Sequence, residues 1–537
     1  MRICKLLCLI LALALLLSAC GKEAAESTIE LLPEQNEAET TEQAAQPDDG
    51  KTESTFGLSY LPDYGLNPFT CTATANRALF SLLYENLFVV SNQFRAEPVL
   101  CKSFKVSGEG TIYTFTLIDG VKFSDGTPLT IDDVAASIDA ARVSPLYKGR
   151  LSRISYYVVN EDGSITIVLS APYENFALMM DIPIVKAASV ESQTPVGTGA
   201  YRLSGSVLIR NQHWWKTTPE IDLGDRILLS PCTEPIELRD NFEFGATDLV
   251  YSDPNSAAAA GYRCDYEVWD VPTTVMHYIG FNLGSGYFVN DTLRTAVTFA
   301  LNREEIANTI YHGYALASPL PCSPNSDLYD AQLAEDYDYS PARFATAVQA
   351  SEVLTSESYV GHVGRLIVCS EDPVRVTAAE AVAETLVSAG LSITVVPLER
   401  DSYLRALQNG DFDLYYGEVR LTANFDLTEF FTKYGNLQYG SIASSAMADL
   451  CVDALANSGS YLELCSQLLT QAQICPVVFK SNAIFVTRGS LSTIAPAVDF
   501  IFHDPTVART LSDADQTYAD VAPVEPSGDP TEESSSE

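Results

Sequence analysis

The sequence predicts a mixed α/β chain of more than one lobe, on three observations. At 537 residues the chain exceeds what one ordinary core holds, so two or three subdomains are expected. Residues 365–419 alternate strand and helix. Leu366, Ile367 and Val368 form a strand; Ala379, Val382, Ala383, Leu386 and Val387 recur at helical spacing, with Gly390 behind them. Ile393, Val395 and Val396 follow as a strand, Tyr403, Leu404 and Leu407 as a short helix, and Leu414, Tyr415 and Tyr416 as a third strand. That order implies a parallel sheet with right-handed crossovers. Elsewhere Tyr113, Phe115 and Leu117 alternate with Thr114 and Thr116, and Ile165, Ile167 and Leu169 follow a turn at 160–163, the period of half-buried strands.

The remaining elements support the same class. Thr130 is placed to cap a helix, with Asp133 three residues on and Ile131, Val134, Ala135 and Ile138 as its apolar stripe. A second helix spans about 291–301, with Leu293, Ala296, Val297, Ala300 and Leu301 on one face. Asn302 caps a third with Glu305, and Gly313 ends it. Ligands of parallel sheets sit at the carboxyl ends of the strands, which places residues 417–424 beside any pocket of this region.

The ends of the chain concern location. Arg2 and Lys5 precede an apolar run at 6–17, too short for a lasting membrane span, and then Leu17-Ser18-Ala19-Cys20-Gly21. This is similar to a lipobox, the bacterial lipoprotein signal, in which cleavage leaves Cys20 as a lipidated first residue. The alternative is an ordinary secretory signal with an incidental cysteine. Residues 21–55 and 512–537 are acidic and poor in apolar groups, so both read as disordered, and the folded body is expected at about 56–511.

A net charge of −38 argues against nucleic-acid binding, because such a chain has little with which to displace counterions from a phosphate backbone. Of 12 cysteines, Cys4 and Cys8 leave with the signal. Beyond Cys20, those at 71, 101, 232, 264, 322, 369, 451, 465 and 475 remain, an odd set that cannot pair completely within the chain. No Cys-x-x-Cys occurs, and His213, His277, His312, His362 and His503 are scattered, so no metal or cofactor site is expected. Gly-x-Ser-x-Gly, His-Glu-x-x-His and phosphate-loop motifs do not occur, so no enzyme is expected, although a triad assembled from distant residues would leave no motif.

Several ordered stretches resemble the family 5 extracellular solute-binding proteins, the oligopeptide-, dipeptide- and nickel-binding lipoproteins of ABC importers. These are 115–130 with Asp132, Asp133, Val134 and Ser137; Pro195-Val196-Gly197-Thr198-Gly199-Ala200-Tyr201; Asn211 to Trp215; Phe281-Asn282 followed by 293–303; and Asn409-Gly410-Asp411-Phe412-Asp413-Leu414. Ala200 stands where the family usually has proline.

The resemblance implies a two-lobe periplasmic-binding-protein fold, class II with an extra subdomain, whose lobes close on a ligand. The expected divisions are a signal at 1–20, a spacer at 21–55, and lobe 1 at 56–280 with an inserted subdomain near 76–190. Lobe 2 follows at 281–476, a return to lobe 1 at 477–511 and a tail at 512–537, with hinge crossings near 278–282 and 474–486. It implies ligand contacts at Tyr64, Leu66, Asn67, Phe281, Asn282, Glu418, Arg420, Thr422, Asn424, Phe425 and Asp426. Trp269, just before the hinge, is a further candidate, with packing as its alternative; Trp214 and Trp215 read as structural.

Peptide-binding members place an aspartate where this chain has Ala423, so Asp426 or Glu418 substitutes for it or the ligand lacks a free amine. The expected partners are a peptide or other small solute, an ABC permease with its ATPases, and the membrane through the lipid anchor. The expected protein is a monomer on the outer face of the cytoplasmic membrane. A sensory or pheromone-peptide receptor and a cell-surface hydrolase stay open as alternatives.

Overall fold

The computed structural model describes residues 56–216, 223–256, 261–498, 500–503 and 509–510. The expected signal peptide with Cys20, the spacer and the acidic tail lie outside them.

Strand β1 (Gly57–Tyr60) starts a sheet that the chain leaves and rejoins only at residue 201. The intervening stretch builds its own antiparallel sheet from β2 (Cys101–Ser107), β3 (Ile112–Leu117), β4 (Ile154–Val159) and β5 (Ile165–Leu169), ordered β2-β3-β5-β4. Tyr113 and Phe115 point into the core, while Thr114 and Thr116 point out, where their hydroxyls meet Thr166 at 3.0 Å and Ser103 at 2.7 Å. Helix α1 (Ile131–Val143) starts as expected: the Asp133 carboxylate accepts the Thr130 amide at 2.9 Å and hydroxyl at 3.0 Å. Its other oxygen accepts the Ala187 amide at 2.9 Å, tying the inserted sheet to the chain that leaves it.

The return path holds β6 (Tyr201–Ser204), β7 (Val207–Arg210), β8 (Arg226–Pro231), α2 (Pro235–Glu243) and β9 (Leu249–Ser252). Strands β8 and β9 lie parallel to β1 on its two sides. Trp214 and Trp215 are structural, as read: their indole N–H groups donate at 3.3 and 2.9 Å to the buried Glu85 carboxylate, which also accepts the Thr198 hydroxyl at 2.8 Å.

A long strand, β10 (Tyr266–Phe281), leads into the second lobe: α3 (Asp291–Ala300), β11 (Gly364–Cys369), α4 (Pro373–Ser388), β12 (Ile393–Leu398), α5 (Arg400–Asn409) and β13 (Leu414–Arg420). Strand β14 (Ile474–Thr487) leads back. The strand-helix alternation read at 365–419 is thus present, and β11 is parallel to both β12 and β13. The whole sheet runs β6-β7-β8-β1-β9-β14-β10-β13-β11-β12, with Ala315–Ala317 also on β14.

Strands β10 and β14 pair antiparallel and belong to both lobes. Up to Pro272, β10 pairs only with the part of β14 that also holds β9; from Val275 it pairs with β13. The crossing on β10 therefore lies at 272–275, not at the expected 278–282. Pro272 has no amide hydrogen to give the ladder, and the register slips between Pro272 and Met276. Residues 278–281 belong inside the second lobe, where Tyr278 opposes Gly417 and Gly280 opposes Tyr415. A Cβ on Gly280 would sit 2.1 Å from the Tyr415 ring and one on Gly417 2.6 Å from the Tyr278 ring, so each tyrosine packs across the opposite glycine.

Candidate functional site

Both lobes aim the carboxyl ends of their parallel strands at the hinge. In lobe 1, Ser252 at the end of β9 is in register with Ala483 of β14, close to the crossing. In lobe 2, Arg420 at the end of β13 is in register with Val275 of β10. Strand β11 lies between β12 and β13, so the crossover from β11 to β12 and the next one, from β12 to β13, run in opposite directions. The carboxyl ends of β11 and β13 are therefore a topological switch point, where a crevice opens in open α/β sheets.

Charged side chains converge on that crevice. Asp372 caps α4, accepting the amides of Val374 at 3.1 Å and Arg375 at 3.2 Å, and it takes the Arg375 Nε–H at 3.0 Å. Burial disfavours the Arg375 charge, but Glu418 and Asp372 outweigh it and hold the guanidinium pKa above its ordinary value. Glu418, near the end of β13, is opposite His277 of β10 and lies 2.9 Å from its Nε2. Lys480 of β14 joins the lobes, with Nζ 2.5 Å from Asp253 just past β9 and 3.9 Å from Glu418.

His277 is fully buried, and desolvation lowers its pKa. The neutral ring fixes the proton order: Nε2–H donates to Glu418, and Nδ1 accepts from the Tyr311 hydroxyl at 2.6 Å, which stands 3.0 Å from that of Tyr416. Partial burial opposes ionisation of Glu418, but the His277 hydrogen bond with Arg375 and Lys480 brings its pKa down to about 2. Ligand-capable atoms of His277, Asp372 and Glu418 lie within 4.8 Å of one another. Arg375 pairs with Asp372, and Lys480 pairs with Asp253 and lies 3.9 Å from Glu418, so the carboxylates of this cluster already have cationic partners.

A pH dependence follows. Both groups bind fewer protons folded than unfolded, so acid removes the stability they supply. The His277 share is complete above its ordinary 6.5 and declines below it; the Glu418 share is complete above 4.5 and is lost on the way down to about 2. Solvent reaches Glu418, so its share is discounted to about 1–2 kcal/mol. Urea unfolding from pH 7.5 to 3 should show a fall that begins near pH 6.5, and Glu418→Gln should flatten the limb below pH 4.5.

Facing this cluster, lobe 1 holds a cavity of about 490 Å³ over the ends of β1 and β9. Tyr64, half-exposed, stands among its lining residues, and so does Asp253, the partner of Lys480. A larger cavity of about 820 Å³ lies between the inserted subdomain and lobe 2, and Ala423 and Asn424 reach it. Around it Arg95 pairs with Asp327 at 2.6 Å, the Tyr173 hydroxyl donates to Asn424 Oδ1 at 3.1 Å, and the Phe94 and Phe425 rings lie 5.0 Å apart.

Of the residues the resemblance assigns to the cleft, Tyr64 lines the lobe 1 cavity, Glu418 belongs to the charged cluster beside His277, and Arg420 is exposed at the end of β13. Others are built into the walls. Leu66 is buried, its backbone bonded to Gln193 and Tyr84. The Asn67 amide bridges the carbonyls of Val190 and Ser192, and that of Asn282 those of Gly410 and Phe412. Phe281 and Phe425 are core residues, fully buried. Trp269 sits in the lobe 1 sheet opposite Ile484, partly buried against the core. Asp426 accepts the Thr428 amide at 2.8 Å, and the Thr422 hydroxyl donates to Asn424 at 2.8 Å, so both serve the turn.

Sequence reading missed Arg375, Asp372, His277, Lys480 and Asp253 as a group. Asp372-Pro373 was a legible helix start, with Arg375 in its first turn. His277 and Lys480 stand on strands that pair only at the hinge, and Asp253 lies just past β9.

A family model for the bacterial extracellular solute-binding proteins, family 5 (middle region), matches residues 95–438. The chain belongs to this family. Family 5 relatives with assigned ligands include the glutathione-binding protein GsiB of Salmonella typhi, 25% identical over 314 residues, which is 55% of this chain. The match spans 59% of that relative's length. Among solved structures, the ABC transporter substrate-binding protein CtaP of Listeria monocytogenes superposes with a TM-score of 0.70 at 17% identity, covering 86% of this chain and all of that one. A putative peptide-binding protein, AppA of Clostridium difficile, gives 0.68 at 16%, covering 84% and 100%. These likenesses establish the two-lobe family 5 fold. Among the described residues no helix is long and apolar enough to cross a membrane.

Proposed function

We propose that this family 5 protein captures a small solute, a peptide or one of similar chemistry, between its two lobes and hands it to an ABC importer. It does so outside the cytoplasmic membrane, tethered through an acylated Cys20. The observation that carries this reading is the convergence of strand ends from both lobes on one charged crevice, with Lys480 on the hinge between them. Paired charges of both signs suit a zwitterionic solute: Glu418 is placed for an ammonium group, and Arg375 and Lys480 for a carboxylate. Glu418 thereby supplies the carboxylate that Ala423 cannot. The glutathione-binding relative and the putative peptide-binding structural neighbour support a ligand of this kind.

A ligand held only by the folded chain must raise its stability, by about 2.7 kcal/mol at a hundredfold excess over Kd. Thermal unfolding against pooled di- to pentapeptides, nickel chelates and sugars should show a rise in Tm with a peptide pool. No rise with any pool would overturn the reading. Mass spectrometry of the mature N-terminus should find the acyl chains on Cys20; a free cysteine there would remove the tether.

A further inference from the structure

The lobe 1 cavity narrows the class of ligand, an inference that rests on the reading just given. Its walls are largely apolar, formed by Leu61, Ala73, Ala75 and Leu79 on one side and Leu238 and Tyr262 on the other. At about 490 Å³ it is within the size range of small-molecule sites. It is no sealed packing defect, because Tyr64 in its lining is 50% exposed. It also adjoins the charged crevice: Asp253 lines the cavity and binds Lys480, which reaches toward Glu418.

We infer that the ligand is a short peptide carrying a bulky apolar side chain, which fills this cavity while its charged ends engage the Glu418–Arg375–Lys480 crevice. Glutathione, although bound by named relatives, is a poor fit. It brings two carboxylates and a small thiol, and nothing large and apolar to displace water from the leucine- and tyrosine-lined wall. Burying a leucine or phenylalanine side chain there corresponds to roughly 10- to 100-fold in affinity over a peptide without one.

The test is calorimetric titration of the full chain with tripeptides in which one Leu or Phe is moved through three positions of a glycine background, alongside triglycine and reduced glutathione. At least one Leu or Phe register should bind 10-fold or more tighter than both triglycine and glutathione. Ala75→Trp, which places an indole in the cavity from a partly exposed position, should abolish that advantage. Circular dichroism checks that this variant folds, and Tyr64→Ala at an exposed lining position should weaken the preferred peptide if it does not. Binding of triglycine or glutathione as tight as that of every Leu and Phe peptide would overturn the inference and leave the peptide-receptor reading standing. So would a preference that survives both substitutions. Failure of every peptide to bind would overturn both.

Discussion

Phe425→Ala is expected to destabilise the folded chain by about 3–5 kcal/mol, the cost of emptying a large aromatic site in a close-packed interior. Phe425 has no exposed surface, and its ring lies 5.0 Å from Phe94 of the inserted subdomain and 5.5 Å from Phe479 of β14. Its carbonyl accepts the Tyr461 hydroxyl at 3.2 Å, and its φ of 57° is in the left-handed region. One side chain therefore fastens the inserted subdomain, the hinge strand and lobe 2 together. Urea unfolding should show the full loss, and Phe425→Leu should recover more than half of it, since much of the volume returns. A ligand-contacting Phe425 would give the opposite pattern: near-native stability and a large loss of peptide affinity in Phe425→Ala.

Why this residue reads as a contact from sequence and as core in the structure shows what a sequence of this kind reveals. Local period and punctuation were enough for β3, β5 and α1, each of which buries one face, and for the run from β11 to β13, whose short apolar strands are separated by capped helices. The ordered segments from 115 to 414 were enough for the two-lobe fold. Loop 418–426 is different. It was placed by alignment with a family loop that meets ligand, and alignment conveys position but not direction. Which of Glu418, Asn424 and Phe425 turns inward depends on Phe94, Phe479 and Tyr173, which approach from far along the chain. The hinge was misplaced for a related reason. Residues 266–281 form one unbroken strand, and only the change of partners near Pro272 marks where one lobe ends. Pro272 was visible in the sequence, but its meaning depended on knowing which strands flank it.

The second large effect concerns the hinge itself. Lys480→Met is expected to cost about 3 kcal/mol and to weaken peptide binding by an order of magnitude or more. Methionine keeps most of the buried stem and removes only the ammonium group, so the loss measures charge rather than packing. Lys480 is 11% exposed in its side chain, and Asp253 31%. Breaking a fully buried pair costs 3–5 kcal/mol, because the remaining partner keeps a charge it cannot share; water reaches Asp253, which sets this case at the lower end. Asp253→Asn in the same chain should therefore restore much of the stability, and the double-mutant cycle should give a coupling well above that of an exposed pair. It should not restore affinity, because the ammonium group that ties lobe 1 to Glu418 of lobe 2 is still missing. The same change removes one of the cations that depress the Glu418 pKa, so the acid limb of stability in Lys480→Met should shift to higher pH. A stability loss fully rescued together with affinity would mean that Lys480 serves packing in lobe 1 alone. A loss of affinity that persists in the rescued chain would place the ammonium group in the closing of the two lobes on their ligand.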